Sequence, residues 1–128
     1  VLRGGEGGTN YDAHQVNHAL GMLTAVNDRP KLIVDCSHGN SGKDHRRQPT
    51  VAEAVAAQVA AGQHRIAGVM LESFLSPGAQ PPTGPLRPGV SVTDACLGFD
   101  QTVEVIASLA LASRRRATHP RAQLVDAR

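Results

Sequence analysis

Five residues of this chain combine reactive side chains with positions at or near the ends of apolar runs: Arg3, His38, Lys43, Glu72 and Asp94. A histidine nitrogen together with glutamate and aspartate oxygens suits a divalent Mn, Fe, Co or Zn ion, while arginine and lysine suit phosphate or carboxylate. Jointly they describe a cation bound beside an anionic substrate. Each also has a plainer role when taken alone. His38 can be a solvated loop residue, Arg3 can pair with a surface acid, and Lys43 can be a loop cation in water. Glu72 can join a salt bridge, and Asp94, which follows Thr93 and precedes a helix-like run, can cap a helix. The other histidines carry less: His14, His18, His64 and His119 fall in helix, turn or tail segments, and His45 stands in a basic patch with Arg46 and Arg47.

What lifts the five is the set of elements that must position them. Leu32, Ile33 and Val34 form a continuous apolar run, the pattern of a parallel strand covered on both faces, and it ends in Asp35, Cys36, Ser37 and His38. Ile66 to Leu71 is a second such run, ending in Glu72 and Ser73. Val1 and Leu2 read as the end of another strand with Arg3, Gly4 and Gly5 at its mouth. Helices are expected between them. The first carries Ala13, Val16, Ala19, Leu20 and Leu23 at helical spacing, with Asn10 or Asp12 as cap and Pro30 beyond its end. The second enters at Gln48-Pro49-Thr50, carries Val51, Ala52, Val55, Ala56 and Val59, and stops at Gly62. A third includes Val103, Ile106, Leu109 and Leu111 and ends in Arg114, Arg115 and Arg116, where cations complement the helix dipole. Between Ser76 and Gly89 the density of Pro and Gly excludes helix and strand, leaving a lid or an ordered excursion.

The polar tips recur about 32 and 34 residues apart, the length of one strand-helix unit. A (β/α)8 barrel of ~250 residues allots about 31 residues per unit, and a doubly wound sheet gives a similar spacing. In either fold, ligands bind at the carboxyl ends of the strands. Three units cannot close a barrel, and the chain opens without Met on what reads as the last turn of a strand, so the expectation is a carboxyl-terminal portion of a larger protein.

Composition narrows the function classes. With 128 residues, 41% hydrophobic, 19% charged, 2% aromatic and no Trp, the chain fits one domain whose core is Ala, Val, Leu and Ile, as in helix-on-sheet packing. A net charge of +2, without basic residues alternating with stacking aromatics, gives no nucleic-acid surface. No run approaches the ~20 apolar residues needed to span a bilayer, so no membrane partner is expected. Cys36 and Cys96 form no CxxC pair and are expected as free thiols, in keeping with a cytoplasmic location.

Four blocks make the pattern specific: Leu2-Arg3-Gly4-Gly5, Val34 through Lys43 (VDCSHGNSGK), Gly68 through Ser73 (GVMLES) and Ser91 through Gly98 (SVTDACLG). In this order and at these intervals they resemble the closing third of the class I 3-deoxy-D-arabino-heptulosonate-7-phosphate (DAHP) synthases. The resemblance implies the carboxyl-terminal three strand-helix units of a (β/α)8 TIM barrel, an α/β fold incomplete in this chain, over residues 1–116, with 117–128 as a flexible tail. It implies condensation of phosphoenolpyruvate with erythrose 4-phosphate to give DAHP and phosphate, the first step of the shikimate pathway, in a homo-oligomeric parent. It assigns Arg3 to phosphoenolpyruvate and His38, Glu72 and Asp94 to the divalent metal; Lys43 is a weaker candidate for a phosphate or a site-edge contact. The family's metal-binding cysteine lies on an earlier strand and is neither Cys36 nor Cys96. A metal-dependent hydrolase on the same barrel and a non-catalytic fragment are the competing readings. The hydrolase would have no need of Arg3.

Overall fold

The computed structural model describes residues 1–118. The elements run α1 (Ala13–Thr24), β1 (Leu32–Asp35), α2 (His38–Ser41), a 3-10 turn (His45–Arg47), α3 (Gln48–Ala60), β2 (Ile66–Met70) and α4 (Phe99–Ala117). Strands β1 and β2 pair in parallel, with an irregularity in register between Leu32 and Ile33. The expected strand at the start of the chain is a single parallel bridge from Leu2 to Val34, so three strand segments lie side by side in sequence order. Residues 119–128, which include His119 and nearly all of the expected tail, lie outside the described residues.

Local chemistry explains the helix ends. Asp12 rather than Asn10 caps α1, its side chain accepting from the Gln15 amide at 3.0 Å. Pro49 stands in the first turn of α3, where its missing N–H costs nothing. Gly62, at φ 99°, takes the left-handed conformation beyond the end of α3, and its amide donates to the Val59 carbonyl. Gly98 caps α4. Asp94 lies four residues ahead of that cap and therefore has no capping role.

One face of the sheet is built and the other is not. Val16, Ala19 and Leu20 of α1, Val55, Ala56 and Val59 of α3, and Ala112 of α4 all pack with Leu32, Val34 and Ile66 in one core. Fully burying a valine such as Val16 or Val55 stabilises the fold by about 1.5–3 kcal/mol. Against the expectation of strands covered on both faces, Ile33 is 43% exposed and Met70 38% exposed. The reason is geometric: successive strand residues alternate faces, and the helices of this core pack on the Leu32/Val34 side. The register shift after Leu32 pairs Met70 with Asp35 and so puts it in phase with Ile33 rather than Ile66. At the helix end, the Arg114 to Arg116 run does more than meet solvent, because Arg116 Nη1 donates to the Ile66 carbonyl at 3.0 Å.

The Pro/Gly-rich excursion is tied at its base. The Ser76 amide donates to Gly89 O, Gly78 and Cys96 exchange two backbone hydrogen bonds, and the Gln80 amide donates to Ser91 O. The Gln80 side chain bridges the carbonyls of Arg87 and Val90. This strap returns the chain toward β2, where Leu97 makes a parallel bridge with Ser73. Among the described residues no helix is long and apolar enough to cross a membrane.

Candidate functional site

Asp35 is the last residue of β1 and is fully buried, although it carries a charge. Burial of a carboxylate requires donors, and three surround it. Its Oδ1 accepts from the Ser37 amide at 2.8 Å, its Oδ2 accepts from His38 Nδ1 at 2.7 Å, and Arg3 Nε stands 3.7 Å from the same Oδ2. A carboxylate only accepts, so this contact holds the His38 proton on Nδ1 and leaves Nε2 as the free nitrogen. That nitrogen lies 3.5 Å from Glu72 Oε1. The other Glu72 oxygen accepts from Ser37 Oγ at 2.6 Å. The strap then brings in Asp94, and one ligand atom each from His38, Glu72 and Asp94 lie within 4.8 Å of one another.

Two further side chains fix the backbone beneath these groups. Gln48, fully buried at the start of α3, spans Glu72: its Oε1 accepts from the Glu72 amide at 2.9 Å and its Nε2 donates to the Glu72 carbonyl at 3.1 Å. Asn40, also fully buried, donates through Nδ2 to the carbonyls of Leu2 and Asp35 and accepts at Oδ1 from the Asn10 amide. Asn10 in turn accepts from the Gly4 amide. The mouth of the first strand and the turn after β1 touch backbone to backbone. A Cβ on Gly39 would stand 2.5 Å from Gly4 C and Gly5 N, and one on Gly4 would meet Asn40 N at 2.7 Å.

Of the five residues singled out by type and spacing, His38, Glu72 and Asp94 converge, and Arg3 joins them through Asp35. Lys43 does not join them. It is exposed, in a left-handed conformation at φ 61°, and its amide closes the turn by donating to the His38 carbonyl. Its side chain makes no hydrogen bond or ion pair among the described residues. Asp35, Gln48 and Asn40 were not legible as site residues. The one available signal was a charged residue directly continuing an apolar strand. The basic patch is also locally satisfied: Arg46 holds Asp44 through Nε and Nη2, and these hydrogen bonds draw the Asp44 carboxyl down to about 2.

Both cysteines are free. Burial, reinforced by the Asp35 charge, pushes the Cys36 thiol up to about 12, so it is an inert core residue packed with Val51, Ala52 and Val105. Partial burial also raises Cys96, against a hydrogen bond with Ser91, and the nearby Glu72 and Asp94 charges add to the rise.

One imidazole nitrogen and two carboxylates, with the imidazole oriented by a buried acid, form a donor set that fits a divalent transition ion. With Arg3 at its edge, the arrangement can hold a cation beside an anion.

The family model described as the DAHP synthetase I family matches residues 1–107. A putative phospho-2-dehydro-3-deoxyheptonate aldolase of Schizosaccharomyces pombe is 49% identical over 123 residues, covering 93% of this chain and 33% of that protein. The Tyr-sensitive phospho-2-dehydro-3-deoxyheptonate aldolase of Escherichia coli is 46% identical over 105 residues, covering 80% of this chain and 29% of that one. The solved structure of the phospho-2-dehydro-3-deoxyheptonate aldolase from Francisella tularensis SCHU S4 superposes with a TM-score of 0.86 at 39% identity, over 89% of this chain and 33% of that chain. The chain spans about a third of the length of the relatives it matches. With its match to the family model extending over residues 1–107, this chain belongs to the DAHP synthetase I family.

Proposed function

We propose that residues 1–116 are the closing part of a (β/α)8 barrel enzyme that condenses phosphoenolpyruvate with erythrose 4-phosphate and water to give DAHP and inorganic phosphate. Three parallel strand segments in sequence order, with helices on one face only, support the barrel over a doubly wound sheet, which carries helices on both faces. The observation that carries the reading is the meeting of His38, Glu72 and Asp94 at the strand ends beside Arg3. The full-length enzyme is expected to be a cytoplasmic homo-oligomer using Mn, Fe, Co or Zn.

Each residue has a task in that reaction. C3 of phosphoenolpyruvate forms the new bond to the aldehyde carbon of erythrose 4-phosphate, water adds at C2, and phosphate leaves. Arg3, with a side chain 62% exposed and Nε as its one side-chain contact among the described residues, offers its remaining guanidinium donors to an anionic end of phosphoenolpyruvate. Gly5, with open space where a Cβ would stand, leaves that approach clear, and holding the substrate in one pose converts binding into rate. His38 Nε2, Glu72 and Asp94 would hold the divalent ion, whose chemistry when bound is Lewis-acid polarisation of the aldehyde oxygen. Asp35 holds the His38 tautomer, and Gln48 holds the Glu72 backbone. Arg3 also speaks against a metal-dependent hydrolase, which has no need of an anion clamp at a neighbouring strand end.

The test uses His38→Ala, Glu72→Ala and Asp94→Ala separately in the full-length enzyme, reading bound metal and turnover with metal in excess. Each is expected to weaken metal binding by more than about 100-fold, beyond the loss typical of an outer-shell partner. A variant that keeps full metal content and near-normal turnover removes that residue from the ligand set.

A further inference from the structure

We propose that Asp35 is a positioning residue that couples the two halves of the site, because its Oδ2 is shared between His38 and Arg3, so that filling the cation site loosens Arg3 for the anionic substrate. The inference rests on the reading of the site given above.

The geometry restricts what Asp35 can do. Its other oxygen is committed to the Ser37 amide at 2.8 Å, and the residue is fully buried, so the carboxylate cannot turn to serve its partners in succession. Oδ2 alone therefore answers both His38 Nδ1 at 2.7 Å and Arg3 Nε at 3.7 Å. The two contacts are unequal: the first is a hydrogen bond and the second an ion pair beyond hydrogen-bond length. A cation on Nε2 withdraws electron density from the imidazole and makes Nδ1–H a stronger donor, which commits the Asp35 charge further to His38. Arg3 then loses part of the one side-chain tether it has among the described residues. Its exposed guanidinium becomes free to pair with a carboxylate or phosphate in the two-pronged geometry that suits arginine. Linkage is reciprocal, so an anion that draws Arg3 away from Asp35 also strengthens the hold on His38 and hence on the cation.

The amide of an Asp35→Asn variant separates this role from a merely structural one. The Ser37 amide still requires an acceptor, so the new carboxamide oxygen stays there and its NH2 faces His38. That arrangement favours the tautomer with the proton on Nε2, the nitrogen the cation needs. At the same time Arg3 loses the carboxylate that restrained it. The two ligands should therefore respond in opposite directions. In the full-length enzyme, calorimetric titration should show Mn2+ binding weakened by about 10- to 100-fold. Phosphoenolpyruvate binding to the chelator-treated protein should tighten by about fivefold, at the low end of ordinary coupling between sites. Weakening of both ligands, or phosphoenolpyruvate affinity left at the wild-type value, overturns the proposal while leaving the function intact. A wild-type enzyme that binds neither Mn2+ nor phosphoenolpyruvate overturns the function itself, and the coupling with it. Should Asp35→Asn not fold, Arg3→Gln, at an exposed position, tests the link from its other end. Mn2+ affinity should then rise by about fivefold, and an unchanged value overturns the coupling.

Discussion

Arg3 and Cys36 are both neighbours of Asp35, and they make contrasting predictions. Losing the charge-assisted contacts of Arg3 with an anion removes about 1.5–3 kcal/mol each, roughly a 10- to 100-fold change in affinity. Arg3→Ala in the full-length enzyme should therefore raise KM for phosphoenolpyruvate by at least about tenfold while leaving KM for erythrose 4-phosphate nearly unchanged. Equal effects on the two substrates would take Arg3 out of its assigned place. Cys36 instead reports on stability. Its thiol moves from the ordinary 9.0 to about 12 on folding, so the unfolded chain ionises first. The raised value means that its stabilising contribution is complete below pH 9 and is lost as pH rises toward 12. The stability of the wild type relative to Cys36→Ala, measured by denaturant midpoints, should fall across that window. A constant difference would show that the thiol does not stay neutral in the fold. In the same protein below pH 9, a thiol reagent should label the half-exposed Cys96 well before Cys36.

At the scale of the elements, the site depends on contacts that no local pattern announces. Gln48 sits 24 residues before Glu72, and its task is to satisfy the strand-end Glu72 amide and to share the Glu72 carbonyl with the Leu97 amide. Gln48→Ala leaves the part-buried Glu72 amide unpaired, while the Glu72 carbonyl keeps the Leu97 amide at 2.9 Å, at a cost of about 1–3 kcal/mol in stability. It should also weaken metal binding through Glu72, read as a lower melting point together with a higher metal Kd. A drop in melting point with unaltered metal affinity would limit Gln48 to the fold. Gly39→Ala acts at the contact between the two strand mouths, where the added Cβ meets backbone at 2.5 Å. Neither backbone can yield as a flexible side chain would, so Arg3 must shift. What the sequence made legible follows the same division. His38 and Glu72 were visible because apolar runs end just before them, and Gly62 and Pro49 marked the ends of α3. Asp94 could also be a cap on its local sequence, and only the strap tied at Gly78–Cys96 and Ala79–Ser91 brings it to the other two. Asn40, Gln48 and the shared Oδ2 of Asp35 were illegible because they serve partners set by tertiary approach rather than by spacing.

For the whole molecule, the decisive feature is the contrast between the two faces of the sheet. Helices α1, α3 and α4 bury Leu32, Val34 and Ile66, while Ile33 and Met70 remain in solvent on the opposite side. Phe74, Leu75, Leu86 and Phe99 are also exposed, more apolar surface than scattered exposed residues explain. The strand segment at Leu2 and strand β2 present their outer edges over most of their length, and unpaired parallel edges are templates for association. In the proposed barrel these edges and the Ile33/Met70 face are closed by the remaining strands, which is consistent with relatives about three times as long. Residues 1–128 expressed alone should accordingly aggregate, or unfold over a broad temperature range without a cooperative transition. Adding Mn2+ should not restore cooperativity, because three ligands can tighten the strand ends but cannot cover an apolar face at the other side of the sheet. Calorimetry and light scattering of the isolated chain, with and without the metal, test this directly. A sharp two-state transition in a monomer would mean that the half-covered sheet is self-sufficient, and the barrel would then no longer be needed to account for its open face.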